Sequence, residues 1–68
     1  MKVFQNRLIE CRKINGITQR QMAEYLGISQ PSYIRYENGS SQPSLEKLVI
    51  IADVFDVSID YLVGRKDY

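Results

Sequence analysis

Apolar residues recur along this chain at three- and four-residue intervals, in blocks separated by glycine, serine and proline. Phe4, Leu8 and Cys11 share one face between Val3 and Asn15, which predicts a first helix stopped at Gly16. Met22, Ala23 and Leu26 form the stripe of a second helix, with Thr18 as its cap, Gln21 as the capping-box partner and Gly27 as its stop. Only Gly27 and Ile28 intervene before Ser29 caps a third helix, in which Pro31 is tolerated in the first turn. Asn38 and Gly39 end it with residues able to take a left-handed C-cap. Ser44 opens a fourth helix that runs to about Asp53 or Phe55, its core stripe being Leu45, Leu48, Ile51, Ala52 and Phe55. Ser58 opens a short fifth helix ending at Gly64, and Val57, Ile59 and Leu62 complete the core. The expectation is an all-α fold, a compact five-helix bundle forming one domain over residues 1–68. The tail from Arg65 to Tyr68 is expected to fray.

The second and third helices, spanning about residues 18–38, are joined so closely that they should cross steeply and leave one face of the third projecting outward. At 3.6 residues per turn, Tyr33 and Tyr36 lie on one side, with Gln30, Pro31, Ile34 and Arg35 on the other. An amide, a guanidinium and an apolar surface are the types that read base edges: Gln to adenine, Arg to guanine, an aliphatic group to a thymine methyl. The plainer alternative is that Gln30 and Arg35 are solvated residues of a surface helix. The start of the second helix adds unpaired N–H groups and a partial positive charge at Thr18 and Gln19, suited to a phosphate, although Thr18 has a capping role in any case. Ser32, Ser40 and Ser41 are further hydroxyls placed to contact phosphate.

Some apolar residues lie off these stripes. Ile50 and Val54 sit four apart on another face of the fourth helix, and with Tyr61 and Val63 they outline a C-terminal apolar patch. A twofold dimer would bury it and set two recognition helices roughly 34 Å apart. Partial burial within one chain is the alternative. Ile9 and Ile14 are either surface aliphatics or part of a contact surface.

Charge refines this picture more through its distribution than its total. The net charge is only +1, but residues 1–38 carry six basic against three acidic groups, whereas residues 39–68 carry three against five. That polarity would orient the helix-turn-helix half on a phosphate backbone. Sixty-eight residues bury only about 60% of their unfolded surface, so self-association would help stability. The stretch Met1 to Arg7 lacks the apolar core of a signal peptide, and there is no apolar run near 18 residues. A cytoplasmic location, with no membrane contact, is the expectation. Cys11 alone cannot form an internal disulfide, its spacing from Leu8 favours a buried thiol, and without histidine there is no zinc set. No metal or other cofactor is implied.

The residues Thr18-Gln19, Met22-Ala23, Leu26-Gly27-Ile28-Ser29 and Glu37-Asn38-Gly39, followed by Pro43-Ser44-Leu45 and Leu48, resemble the Cro/repressor-type (XRE) helix-turn-helix domain of phage and bacterial regulators. The resemblance runs from about Phe4 to Gly64 and implies a lambda repressor-like bundle that binds double-stranded DNA. It implies that Arg12 and Glu37 form a structural ion pair between the first and third helices. It also implies that Gln19 contacts the DNA backbone while bracing Gln30, and that Asn38 contacts a phosphate. Pro31 and Ile34 stand where more polar residues are frequent, which shifts weight to thymine methyls and DNA shape. The loop from Ser40 to Pro43 lacks the arginine or lysine that relatives place near the minor groove.

Three function classes follow. The first is a transcriptional regulator, most simply a repressor, that binds a palindromic operator as a homodimer through the major groove. The second is an antitoxin or protein-interaction module of the same fold, with a protein partner on the Ile50, Val54 and Tyr61 surface. An enzyme is the third, and with no histidine and no glycine-rich phosphate loop the chain offers no catalytic constellation.

Overall fold

In the computed structural model, which describes residues 2–68, the last four helices each begin where a side chain can replace a missing backbone partner. Met1, the first residue of the stretch weighed against a signal peptide, lies outside the described residues. α1 spans Lys2–Ile14, α2 Gln19–Leu26, α3 Gln30–Asn38, α4 Leu45–Phe55 and α5 Ile59–Leu62. Thr18, Ser29, Ser44 and Ser58 hold extended backbone conformations ahead of α2 to α5, and each side chain accepts from the backbone N–H three residues on. At Thr18 the box is complete: Gln21 N–H donates to Thr18 Oγ1 at 3.0 Å, and Thr18 N–H donates to Gln21 Oε1 at 2.9 Å.

The helices end in left-handed turns. At the α2 end Gly27 takes φ 67°, with Ile28 N–H donating to the Ala23 carbonyl at 3.0 Å, which reverses the chain within two residues. At the α3 end Gly39 takes φ 84°, and a Cβ there would lie 2.5 Å from Gln5 Nε2, so this turn sits hard against α1. α4 ends on Asp56 at φ 54°, a left-handed position filled by a residue whose short polar side chain tolerates it.

The core gathers Phe4, Leu8 and Cys11 from α1, Met22, Ala23 and Leu26 from α2, and Tyr33 and Tyr36 from α3. Ile51, Ala52 and Phe55 of α4 and Leu62 of α5 close it. α3 packs on both α1 and α2, while α4 packs on α2 and α5 and α5 returns to α1. Burial pushes the Cys11 thiol up from its ordinary value, helped by the charge of Glu10 and opposed by Arg7, so it is a neutral packing group.

Three expectations need correction. Leu45, expected in the core, is the first residue of α4 and is 72% exposed, so the packed part of that stripe starts one turn later, at Leu48. Helix five stops at Leu62, one turn after it starts, and Gly64 belongs to the turn beyond. The tail, expected to be loose, is tied back to the bundle by hydrogen bonds. Arg7 on α1 donates to the carbonyls of Tyr61 and Lys66, Arg65 and Lys66 return N–H groups to the Asp60 carbonyl, and Ser58 Oγ donates to the Tyr68 carbonyl at 3.3 Å.

Candidate nucleic-acid interface

The outward side of α3 is set by what its inward side must bury. Tyr33 is wholly buried and Tyr36 nearly so, their rings meeting edge to face with centroids 6.2 Å apart. Helical geometry then turns Gln30, Pro31 and Arg35 to solvent, while Ile34 and Ser32 are half-buried. Ser29 Oγ donates to Ser32 Oγ at 2.9 Å, which leaves the Ser32 hydroxyl proton free for a ligand.

The angle between α2 and α3 is held by one buried carboxylate. Glu37, 8% exposed, accepts from Arg12 Nε at 2.6 Å and Arg12 Nη2 at 3.3 Å, from Gln19 Nε2 at 3.1 Å and from the Tyr33 hydroxyl at 2.5 Å. Arg12 also donates to the Ile17 carbonyl at 3.0 Å, tying the turn before α2 into the same group. Burial would raise the Glu37 carboxyl, but hydrogen bonds from Arg12, Tyr33 and Gln19 outweigh it and hold the group below its ordinary value. The Arg12 guanidinium is raised in turn, chiefly by its hydrogen bond to Glu37. The Gln19 amide is therefore engaged on Glu37, where the resemblance implied a brace to Gln30.

The N-terminus of α2 keeps fewer free donors than its first turn suggests. The capping box consumes the N–H groups of Thr18 and Gln21, so the backbone donors left open are those of Gln19 and Arg20, together with the Thr18 hydroxyl proton. They open on a concavity bounded by Arg12, Lys13, Gly16, Ile17, Thr18, Gln19, Arg20 and Gln30. Lys13 and Arg20, both exposed, bring charge to it; neither was singled out in the sequence, although two cations bracketing a helix cap are a readable signal. At the far end of α3, Asn38 Oδ1 accepts from the Ser40 N–H at 2.9 Å and the Ser40 hydroxyl at 2.5 Å. Asn38 thus offers a ligand its amide N–H groups, whereas the Ser40 hydroxyl proton is already committed. Ser41 N–H donates to the Arg35 carbonyl at 3.3 Å and its side chain is half-buried.

The C-terminal patch is less open than the sequence pattern implied. Ile50, Val54 and Tyr61 are half-buried and pack against the core, and Val63 lines a cavity of about 70 Å³ with Phe4, Gln42, Pro43 and Leu48. The Arg7 guanidinium covers the Tyr61 ring at 4.3 Å. On α4 the most exposed aliphatics are Leu45 and Val49. Ile9 is half-buried and Ile14 exposed. Among the described residues there is no cluster of ligands for a metal ion and no helix long and apolar enough to cross a membrane.

With this geometry the comparisons agree. The helix-turn-helix family matches residues 8–62. The transcriptional repressor RstR of the cryptic phage CTXphi in Vibrio cholerae is 49% identical over 65 residues, covering 96% of this chain and 57% of the relative. The antitoxin PezA of Streptococcus pneumoniae is 45% identical over 54 residues, covering 79% of this chain and 34% of the relative. A crystal structure of a transcriptional regulator from Listeria innocua superimposes with a TM-score of 0.85 at 36% identity, over 90% of this chain and 57% of that one. The chain spans little more than half the length of curated relatives that it matches. It belongs to the Cro/C1-type (XRE) helix-turn-helix family of transcriptional regulators.

Proposed function

We propose that this chain represses transcription by binding a palindromic operator as a homodimer, with α3 of each copy in the major groove. The observation that carries the reading is the division of α3: Tyr33, Tyr36 and Glu37 are buried, and Gln30, Pro31 and Arg35 are exposed on a helix locked to its neighbours. Arg35 reads a guanine, Gln30 an adenine, and Pro31 with the exposed part of Ile34 touches thymine methyls. Thr18, the Gln19 side chain, Ser32, Asn38, Ser40 and Ser41 contact phosphate, Ser40 through a bridging water that donates to its oxygen. The open amides of Gln19 and Arg20 and the charges of Lys13 and Arg20 strengthen the same contact. Ile50, Val54, Tyr61 and Val63 form the dimer seam, and the protein works in the bacterial cytoplasm without a cofactor. Repressor action is supported by the likeness to RstR, which is named a repressor.

Similarity to PezA, named an antitoxin, favours a second reading in which the same fold also serves a protein partner. Sedimentation of the free protein, paired with titration of an inverted-repeat duplex and of one half-site, separates the two. A dimer that binds the repeat far more tightly than the half-site supports the operator reading. A monomer with no preference, or a chain that binds DNA only with a partner, supports the other.

A further inference from the structure

The carboxylate of Glu37 is held unevenly. Its Oε2 takes the short bonds, from Arg12 Nε at 2.6 Å and the Tyr33 hydroxyl at 2.5 Å, while Oε1 takes the longer ones, from Arg12 Nη2 at 3.3 Å and Gln19 Nε2 at 3.1 Å. An arginine fork alone would bond both oxygens alike. Each oxygen takes one arginine bond and one from another donor, and the shorter of these other bonds is on Oε2, from a tyrosine one helical turn before Glu37 on α3. Tyr33 is wholly buried, a place that phenylalanine would fill at no polar cost, so its hydroxyl is present for the carboxylate. Burial and the adjacent carboxylate push the phenol up, keeping it a donor. Among the described residues, the Gln19–Glu37 bond is the one side-chain hydrogen bond that joins α2 to α3.

We propose that Tyr33 is a positioning residue for the DNA contact at Gln19: its hydroxyl sets the Glu37 carboxylate, whose other oxygen holds the Gln19 amide at the mouth of the phosphate-facing concavity. One amide N–H of Gln19 is spent on Glu37 and the second is left for a phosphate oxygen. The recognition helix and the backbone clamp are thereby placed by one group. This inference rests on the DNA-binding reading above.

The test compares Tyr33→Phe, Gln19→Ala and the double variant for affinity to a mixed-sequence duplex at low salt. Each single change is expected to weaken binding roughly three- to tenfold, and the double variant to bind no more weakly than Gln19→Ala alone. Additive losses, or no loss in Tyr33→Phe, overturn the proposal. In the free protein the Gln19 side-chain amide protons, followed by NMR, should shift and exchange faster in Tyr33→Phe. They should stay unchanged in Tyr36→Phe, whose hydroxyl makes no bond to Glu37. Unchanged Gln19 protons in Tyr33→Phe overturn the relay whatever DNA does. Gln19 protons that respond, in a protein that binds no duplex, overturn the DNA-binding reading and the proposal with it.

Discussion

A carboxylate taken out of water stays charged only if hydrogen bonds replace that water, and Glu37 has four of them. Because these bonds lower its pKa in the folded chain, the stability they supply is fully present above the ordinary carboxyl value of 4.5 and is lost as pH falls through the lower, folded value. NMR titration of the folded protein should place the Glu37 midpoint below 4.5, with denaturant unfolding losing stability over the same acid range. A midpoint at or above 4.5 would mean that burial outweighs the donors. Arg35 belongs to the same scale. It is exposed and makes no side-chain bond within the described residues, so it is free to fork onto a base. Arg35→Ala should cost about 1 to 3 kcal/mol of binding and relax preference at one base position. An equal loss on every sequence would assign it to phosphate. The Arg12–Glu37 pair was legible through the family resemblance. The Tyr33 and Gln19 bonds to the same carboxylate were not read: Tyr33 lies one helical turn before Glu37, a spacing that could have shown its bond, whereas no local spacing tells that Gln19 of another helix meets Glu37.

At the scale of elements, the caps were the most legible feature. Each is a contact across three residues, so the signal and the structure lie in the same few positions. Thr18→Ala removes one half of a capping box on an eight-residue helix and should destabilise the fold by about 1 kcal/mol, measured by denaturant melting. A change within a few tenths of that measurement's zero would show that tertiary packing, not the cap, holds the start of α2. Leu45 shows the limit of periodicity. A stripe identifies a face, but how far along that face the neighbouring helices reach is a property of the assembled bundle, and Leu45 at the start of α4 is left exposed. The left-handed stop at Asp56 was likewise invisible, since aspartate is a rarer choice there than glycine.

For the whole molecule, Arg7 decides more than its position on α1 suggests. By donating to the Tyr61 and Lys66 carbonyls and covering the Tyr61 ring, it fixes the C-terminal segment and takes up part of the apolar patch read from sequence. What remains for a second copy is the half-buried surface of Ile50, Val54 and Val63 with the free side of Tyr61. Ile50→Glu or Val54→Glu should weaken dimerisation at least about tenfold, near 1.4 kcal/mol, and operator binding with it, while helical circular dichroism persists. Loss of the helical signal would place these side chains in the core. The charge division between the two halves of the chain was plain in sequence, whereas the pairing of copies depends on surfaces that one chain alone does not display. The central claim is that this domain reads a specific, twofold DNA sequence. Its most direct test is selection of bound duplexes from a random pool at near-physiological salt, with the oligomeric state measured in the same buffer. Enrichment of an inverted repeat with half-sites about 10 base pairs apart is the expected result. A pool that stays random, with weak binding that fades as salt rises, would contradict it.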